Sequence, residues 1–320
     1  MNLQFNSNDE ITNLFKNSCE SLIHLGYDLY DKYKSNINNV CNLFSDDYSK
    51  ELYKKEIVFA LLNKFIPDSL SPQYAGLMDS KKFNKSVSLV YLNPIFKDGQ
   101  ILRFFNELDK LYPGKHSIGK FFAYTNFVLE QYRYENLVRV EEGDVCIDAG
   151  SCFGDTALYF VKNGAKKVYS FEIDKRNLVF SKRIFPELDI DNVELIEKAV
   201  SDVDSELWYK PSGNIGSGGI VRKNTIGAYR VEVCKLDSFC KEKGIIPDLI
   251  KMDIEGAEYS ALIGAKEIIC KYKPKLTICI YHSFEDRFRL PELIKSFVPE
   301  YRFYLKKSSP IYETILFCKV

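Results

Sequence analysis

The amino-terminal part of the chain carries apolar side chains at helical spacing in several separate stretches. Such spacing places one apolar face on each stretch and predicts amphipathic helices. Residues 66–100 instead contain Pro67, Pro72 and Pro94 among Gly and Asn, which predicts a loop with short extended pieces. The predicted helices lie at residues 9–30, 49–65, 100–111 and 118–132. Residues 1–138 are therefore predicted to form a mainly helical region, for which a role in substrate binding or in a homodimer remains open.

From Asp144 the pattern changes to short β-branched runs that alternate with helical stretches. The predicted strands are residues 144–149, 167–172, 193–200, 249–253, 275–281, 301–306 and 313–319. The predicted helices between them are residues 155–162, 175–185, 237–243, 257–270 and 290–297. Alternation of this kind is typical of an α/β fold, in which helices cover both faces of a doubly wound parallel sheet. Residues 139–320 are predicted to form this second domain.

The alternation is interrupted between Val203 and Val233, where five glycines and Pro211 fall close together. A mobile surface loop is one interpretation of this segment. A flap that covers a ligand site, from about Pro211 to Ala228, is the other.

Composition and charge exclude some classes of partner and location for this protein. The chain has 46% hydrophobic and 28% charged residues, and its 44 basic and 44 acidic side chains cancel. Such values are typical of a globular protein, and the absence of a net positive charge makes nucleic acid a poor candidate partner. Apolar runs such as residues 57–62 are too short to span a membrane, and the polar, acidic first fifteen residues do not resemble a signal peptide. A cytoplasmic location is expected.

Cysteine spacing gives no sign of a structural site. The nine cysteines include no C-x-x-C pair and are scattered along the chain. Neither a disulfide framework nor a zinc site is expected, and most of these thiols are predicted to be buried as small apolar side chains.

The segment from Asp144 to Thr156 is the most informative part of the chain. An apolar strand enters a turn with Gly150 and Gly154 and then opens a helix, which suits a ligand lying across the strand ends. The glycine spacing is not the G-x-G-x-x-G of a dinucleotide site. Asp148 would also place negative charge where a pyrophosphate would lie, so a ligand with a cationic amine and sulfonium fits better.

The next predicted strand ends at Glu172, 22 residues after Gly150. A carboxylate at about this distance, at the tip of the second strand, can accept hydrogen bonds from both hydroxyls of a ribose. Taken with the preceding turn, Glu172 is predicted to bind a ribose rather than only to cap a helix.

Three carboxylates follow a further buried strand within six positions: Asp253, Glu255 and Glu258. Ligands of open α/β sheets bind at the carboxyl ends of the strands, so these acids should face the same crevice. Glu258 could instead favour the start of the next helix electrostatically.

His282 directly follows the apolar strand that ends at Tyr281. Its place at a strand end beside the predicted crevice favours a functional role over a structural one. His24 and His116 lie in the helical region and are given no role. No set of residues has convincing metal spacing and no metal is expected, although Asp253, Glu255 and His282 could meet around a divalent ion.

Together these motifs closely resemble the FkbM-type methyltransferases, a family of S-adenosylmethionine-dependent O-methyltransferases often acting on sugar or polyketide hydroxyls. The matching segments are residues 148–156, 171–172, 198–202, 236–237, 250–258 and 280–282. The resemblance covers about residues 138–320 and implies the class I methyltransferase fold, with seven strands of which the last two form an antiparallel hairpin. It also implies that Asp148 and the Gly150 turn face the methionine part of the cofactor, that Glu172 faces the ribose, and that Ala199 to Asp202 face the adenine.

Methyl transfer to a hydroxyl of a saccharide or other small-molecule acceptor requires a base that removes the hydroxyl proton. His282 is the first choice, because an ordinary pKa near 6.5 would leave it largely neutral. Asp253 is the second, as base or as the group that orients the substrate. Glu255 and Glu258 are expected to bind hydroxyls or to hold the shape of the site.

Two other functions remain possible. A nicotinamide-dependent oxidoreductase would use a similar sheet, but its glycine fingerprint is missing. A noncatalytic, partner-binding protein could also use this scaffold, because a fold does not determine a function.

Overall fold

The computed structural model describes residues 23–63, 75–77, 79–112, 118–212 and 218–320. Its α-helices are α1 (Ile23–Cys41), α2 (Asp47–Leu62), α3 (Ser80–Ser88), α4 (Gly99–Leu111), α5 (Ile118–Ala123), α6 (Asp155–Lys162), α7 (Lys175–Glu187), α8 (Leu236–Lys243), α9 (Glu258–Ile263), α10 (Lys266–Tyr272) and α11 (Asp286–Phe297). Its strands are β1 (Val145–Ala149), β2 (Lys167–Phe171), β3 (Val193–Ile196), β4 (Lys198–Val200), β5 (Ser205–Pro211), β6 (Gly218–Val221), β7 (Tyr229–Cys234), β8 (Leu249–Met252), β9 (Lys275–Cys279), β10 (Arg302–Lys307) and β11 (Thr314–Lys319).

The central element is a seven-stranded sheet in the order β10-β11-β9-β8-β1-β2-β3. The five strands from β9 to β3 are parallel, and β11 runs antiparallel to both β9 and β10. The predicted doubly wound, mostly parallel sheet with a final hairpin is therefore confirmed. The carboxyl ends of β1, β2, β8 and β9 lie at one edge of the sheet, so the loops that follow them meet there.

Both faces of the sheet are covered by helices, and the amino-terminal region contributes to both. Helices α1 and α2 pack with α8 to α11 on the face that buries Ile147 and Ile250. Helices α4 and α5 pack with α6 and α7 on the face that buries Cys146 and Leu249. The predicted division at residue 138 remains a prediction, because the helices on its amino-terminal side share their hydrophobic core with the sheet.

Two parts of the helical region differ from the expected pattern. Helix α3 occupies part of the segment predicted as loop. Asp79 caps its amino terminus, because the Asp79 side chain accepts hydrogen bonds from the backbone N–H groups of Lys81 and Lys82. The predicted helix at residues 118–132 consists of α5 and a π-helical turn, Tyr124–Val128. For the predicted helix at residues 9–30, residues 9–22 lie outside the described part of the chain, and α1 continues beyond residue 30.

The described part of the segment between Val203 and Val233 contributes β5, β6 and most of β7 to a small sheet that also includes β4, whereas a mobile surface loop was one of its two interpretations. The strand order of this small sheet is β4-β7-β5-β6. The predicted strand at residues 193–200 is accordingly two strands, because β3 pairs with β2 whereas β4 pairs with β7. Residues 213–217, at the centre of the predicted flap, lie outside the described residues, and closure of a flap stays a prediction.

The other differences are local. The predicted helix at residues 257–270 is divided at Gly264, which lies so close to Ser201 that a Cβ atom would collide with the carbonyl oxygen of that residue. Five of the eight cysteines in the described ranges are buried and all eight are free, as expected. None of the helices within those ranges combines the length and the apolar character that crossing a membrane requires.

Candidate functional site

The loops after β1 and β8 touch each other at the carboxyl edge of the sheet. Gly150 has φ +81°, and a Cβ atom there would collide with the backbone carbonyl of Asp253. Gly154 has φ +85°, and a Cβ atom there would collide with the ring of Phe185. Both glycines are thus required by a left-handed backbone and by close packing. The backbone conformation and the packing explain the two glycines, without the ligand approach that the sequence analysis expected.

Asp148 is fully buried and is paired with a cation that the sequence interpretation overlooked. Lys251 lies beside it in the register of β1 and β8, with its Nζ 2.9 Å from Asp148 Oδ1. The same ammonium donates to the carbonyl oxygen of Gly150 at 2.6 Å and lies over the ring of Tyr132. Although burial alone lowers the pKa of a lysine, the carboxylates of Asp148 and Asp253 raise the pKa of Lys251 above its ordinary value. The charge of Asp148 is therefore already partly balanced inside the protein.

A second buried carboxyl group lies at the start of α6. Asp155 Oδ2 accepts a hydrogen bond from Asn126 Nδ2 at 2.5 Å, and burial raises the pKa of Asp155 to about 7. Asp155 Oδ1, Asp148 Oδ2 and the Ser151 hydroxyl are buried and have no hydrogen-bond partner among the described residues. Buried polar atoms normally have partners, so these three are candidates for contact with a ligand.

Glu172 follows β2, as predicted, and half of its carboxylate is used locally. Its Oε1 accepts hydrogen bonds from the backbone N–H groups of Ile173 at 2.7 Å and Asp174 at 2.6 Å. Its Oε2 has only a long contact, 3.4 Å, with Asn177 Nδ2. Burial raises the pKa of Glu172 to about 7. The Oε2 atom can accept further hydrogen bonds from ligand hydroxyls.

The small sheet packs against the loop that carries Glu172. The hydroxyl of Tyr229, at the start of β7, donates to the carbonyl oxygen of Ile173 at 2.8 Å. Ala199 lies within β4, and Asp202 lies in an exposed turn where its carboxylate accepts a hydrogen bond from the Ser201 hydroxyl at 3.1 Å. The structure thus brings part of the small sheet to Glu172, and the adenine contacts expected of Ala199 and Asp202 remain a prediction.

Asp253 lies at the centre of the hydrogen bonds on the other side of the crevice. Its Oδ2 accepts from the hydroxyl of Tyr132 at 3.1 Å, and its Oδ1 accepts from that of Tyr281 at 3.2 Å. Burial opposes ionisation, but His282 and Lys251 outweigh it and hold the pKa of Asp253 below its ordinary value. Asp253 is therefore an oriented, ionised carboxylate at neutral pH.

His282 lies between two carboxylates. Its Nε2 is 3.3 Å from Asp253 Oδ1 and its Nδ1 is 3.0 Å from Glu258 Oε1. Burial alone lowers the pKa of a histidine, but these two partners raise the pKa of His282 to about 11. The near-neutral pKa on which its role as a base depends does not hold in this environment. At pH 7 His282 is an imidazolium that forms an ion pair with each of these two carboxylates.

The two glutamates of this loop differ in position. Glu258 is fully buried, and its Oε1 accepts a hydrogen bond from the backbone N–H of Ile254 at 2.8 Å as well as facing His282. Glu255 is exposed and has φ +55°, a backbone conformation that is strained for a side chain other than glycine. Glu258 is therefore engaged by groups of the protein, whereas Glu255 is accessible to solvent, and a role of either residue in binding the substrate remains a prediction. Donor atoms of Asp253, Glu258 and His282 lie within 4.8 Å of one another, so Glu258 replaces Glu255 in the set that could meet around a divalent ion.

Glu313 is a further buried acid that sequence reasoning missed. It precedes β11, has φ +59° and lies with Asp253 and Cys279 in a group whose polar atoms are within 4.8 Å of one another. Burial and the Asp253 carboxylate raise the pKa of Glu313 to about 8. Because β11 runs antiparallel, it brings the residue before its first position to the carboxyl edge of β9. The carboxyl-end rule for parallel strands does not select such a residue.

Known proteins resemble this chain in sequence and in fold. The methyltransferase FkbM domain matches residues 148–308, about half of the chain. The 2-O-methyltransferase NoeI of Sinorhizobium fredii (strain NBRC 101917 / NGR234) is 31% identical over 162 residues, which cover 45% of this chain and 64% of NoeI. The crystal structure of methyltransferase FkbM from Methylobacillus flagellatus KT has the same fold, with a TM-score of 0.61 at 20% identity over 92% of this chain and 60% of that one. The match thus spans less than two thirds of either relative. The chain belongs to the FkbM methyltransferase family.

Proposed function

We propose that the protein is an S-adenosylmethionine-dependent O-methyltransferase that acts on a hydroxyl of a saccharide or glycoconjugate. The observation that carries the proposal is a group of buried and half-buried carboxyls at the carboxyl edge of the sheet: Asp148, Asp155 and Glu313 are buried, and Glu172 and Asp253 are half-buried. Only Lys251 and His282 oppose them within the contacts described above. Family membership supports methyl transfer, and the name of NoeI supports an oxygen acceptor.

The residues at the ends of β1 and β2 fit this cofactor. The unpartnered Asp148 Oδ2 and Asp155 Oδ1 provide negative charge for an ammonium and a sulfonium, and Glu172 Oε2 can accept from ribose hydroxyls. Ala199 and Asp202 are proposed to lie by the adenine. When bound, S-adenosylmethionine supplies an electrophilic methyl group. The protein has to hold the acceptor oxygen in line with that group.

Asp253 is the residue whose position and ionised state best suit it to receive the proton of the acceptor hydroxyl. Hydrogen bonds from Tyr132 and Tyr281 and the ion pair with His282 orient its carboxylate, and one lone-pair position of Oδ2 remains for the acceptor hydroxyl. His282, held by Glu258, keeps Asp253 ionised and stabilises negative charge beside it. The proposal therefore keeps Asp253 and His282 as the catalytic residues. It assigns the role of base to Asp253, whereas the sequence analysis had put His282 first.

A saccharide acceptor is supported by aromatic side chains next to Asp253. The ring centroids of Tyr281 and Tyr312 are 6.1 Å apart, and Tyr312 is 52% exposed. Its backbone is held on both sides, because Tyr312 N–H donates to Ser309 Oγ at 2.9 Å and its carbonyl accepts from Lys307 Nζ at 3.3 Å. A fixed, exposed ring offers an apolar surface to the C–H face of a sugar. Glu255, exposed in the neighbouring loop, is proposed to bind sugar hydroxyls.

The proposal is tested by incubating the protein with methyl-labelled S-adenosylmethionine and a panel of methyl glycosides, with Asp253→Asn as the inactive control. Transfer of label to a glycoside by the wild type supports the proposal. Binding of S-adenosylhomocysteine without transfer to any sugar would refute the acceptor class. Failure to bind that product at all would favour the noncatalytic alternative, and binding of a nicotinamide cofactor would favour the oxidoreductase.

The aromatic surface is tested separately, with the glycoside that gives the highest turnover. Tyr312→Ala is expected to raise the KM for that glycoside and to leave the affinity for S-adenosylhomocysteine unchanged. Tyr48→Ala, which removes another exposed tyrosine, is the matched control. Equal KM values in Tyr312→Ala and wild type would exclude Tyr312 from the acceptor site.

A further inference from the structure

A buried charged cluster connects the helical region to the crevice. Glu56, in α2, is fully buried, and its carboxylate is paired with Arg287 of α11 and Lys307 of β10. Arg287 Nε and Nη2 lie 3.1 and 2.8 Å from Glu56 Oε1, and Lys307 Nζ lies 3.0 Å from Glu56 Oε2. Arg287 and Lys307 are themselves 4% and 8% exposed, so water cannot take the place of the carboxylate.

Each of the two cations also binds a loop at the edge of the crevice. Arg287 Nη1 donates to the carbonyl oxygens of Ser283 at 2.8 Å and Tyr281 at 3.5 Å, on either side of His282. That guanidinium therefore fixes the backbone of the loop after β9.

Lys307 makes the equivalent contacts on the hairpin. Its Nζ donates to Thr314 Oγ1 at 2.8 Å and to the carbonyl oxygen of Tyr312 at 3.3 Å, on either side of Glu313. The carboxylate of Glu56 thus connects the two segments that carry His282 and Glu313 and determines their separation. Both of these residues face Asp253.

We infer that Glu56 is a positioning residue, which holds the loop after β9 and the hairpin loop in register so that His282 lies between Asp253 and Glu258. Glu56 lies outside residues 148–308, the part of the chain that the family domain matches. The inference rests on the proposed function only for the activity of the site, and not for the arrangement of its side chains. Through Glu56, the region before residue 138 helps to shape the site without contacting the acceptor.

The arrangement of His282 can be observed directly in the unliganded protein. The chain has three histidines, so ¹⁵N-histidine labelling gives a simple NMR spectrum in which His282→Gln assigns the signal. The groups that act on His282 are Asp253 and Glu258, in direct contact, and Glu255 and Glu313, through space. The titration midpoint of His282 therefore reports whether its loop remains in place.

Glu56→Gln in the full chain is expected to lower the titration midpoint of His282 by at least about one pH unit, a tenfold weaker retention of its proton. The charge-matched control is Glu285→Gln, because Glu285 lies in the same loop and its side chain has only Tyr33 as a partner among the described hydrogen bonds. The titration midpoint of His282 is expected to shift much less in Glu285→Gln than in Glu56→Gln. Asn36→Ala removes a polar contact between α1 and α11, to Glu292, and should leave the titration midpoint of His282 unchanged.

Two results would overturn the inference: an unchanged midpoint in folded Glu56→Gln, or an equal shift in Glu285→Gln, which would show an effect of charge alone. If circular dichroism shows Glu56→Gln to be unfolded, Glu56→Asp is measured instead. It keeps the charge but cannot reach both cations, so the midpoint should again fall, and an unchanged one would overturn the inference. Binding of S-adenosylhomocysteine by the wild type, measured separately, shows whether the proposed function itself fails.

Discussion

Lys251 lies directly beside Asp148 on the neighbouring strand, and the two side chains form an ion pair of 2.9 Å in which the exposed fractions are only 1% and 0%. The pair lies immediately beneath the crevice. It reduces the negative charge that Asp148 presents there and fixes the loop after β1 through the carbonyl oxygen of Gly150. The acidic character of the site therefore depends on Asp155, Glu172 and Asp253 as much as on Asp148.

Lys251→Met is expected to lower the free energy of unfolding by about 3–5 kcal/mol, because it leaves buried carboxylates without their cation. The double variant Asp148→Asn with Lys251→Met should recover part of that loss, since no unpaired charge remains at Asp148. Denaturant unfolding measures both values. A double variant that loses the sum of the two single losses would contradict an ion pair between these residues.

Glu172→Ala is expected to weaken binding of S-adenosylhomocysteine by about 1.5–3 kcal/mol, the range for hydrogen bonds to a charged acceptor. Calorimetry measures the affinity. Glu197→Ala, one strand further along the same edge and half exposed in its pair with Lys182, is the control that should bind normally. Unchanged affinity in Glu172→Ala would remove Glu172 from the site.

Cofactor affinity should rise with pH across neutrality. Burial raises the pKa of both Glu172 and Asp155 to about 7. Below that pH each group is neutral and has to lose a proton before it can pair with a cationic or hydroxyl-bearing ligand, whereas above it the charge is already present. The affinity for S-adenosylmethionine should therefore increase roughly tenfold between about pH 6 and pH 8. Calorimetry in buffers of different ionisation enthalpy should detect release of protons on binding, and a flat profile in Glu172→Gln would identify Glu172 as their source.

Asp253→Asn is expected to lower turnover by roughly 10² to 10⁴, because an amide cannot take the acceptor proton. His282→Gln should cause a smaller loss, since it removes a charge that supports Asp253 and not the base itself. Initial rates at saturating S-adenosylmethionine, with the best glycoside of the acceptor panel, measure both. A mild effect of Asp253→Asn beside a large one of His282→Gln would return the role of base to the histidine.

His282 should also affect stability in a defined pH range. Its pKa in the folded protein is about 11, against an ordinary value of 6.5. The folded state therefore holds the proton more tightly, and the resulting stabilisation is complete below about pH 6.5 and is lost as the pH rises towards about 11. The difference in unfolding free energy between wild type and His282→Gln should shrink over that range. A difference that grows with pH would contradict a protonated His282 in the native state.

Local patterns in the sequence were sufficient for much of the fold. Alternating apolar runs and helices predicted the parallel strands, and Asp148, Glu172, Asp253 and His282 each lie at or directly after the end of an apolar strand. Because parallel strands end at the same edge, that position alone brings these residues to one crevice. The small sheet after β3 was not predicted, because glycines such as Gly218, Gly219 and Gly227 lie within or between its short strands, and glycine is equally frequent in loops.

Tertiary structure decided which of these groups touch and which are charged. Lys251 pairs with Asp148 only because of the register between β1 and β8, which the sequence of neither strand contains. Glu313 arrives from an antiparallel hairpin, and His282 gains its proton because two carboxylates from a different loop enclose it. A pKa depends on distances and burial between segments remote in the chain. The residues of the site can therefore be found from local sequence, whereas their protonation and roles require the folded arrangement.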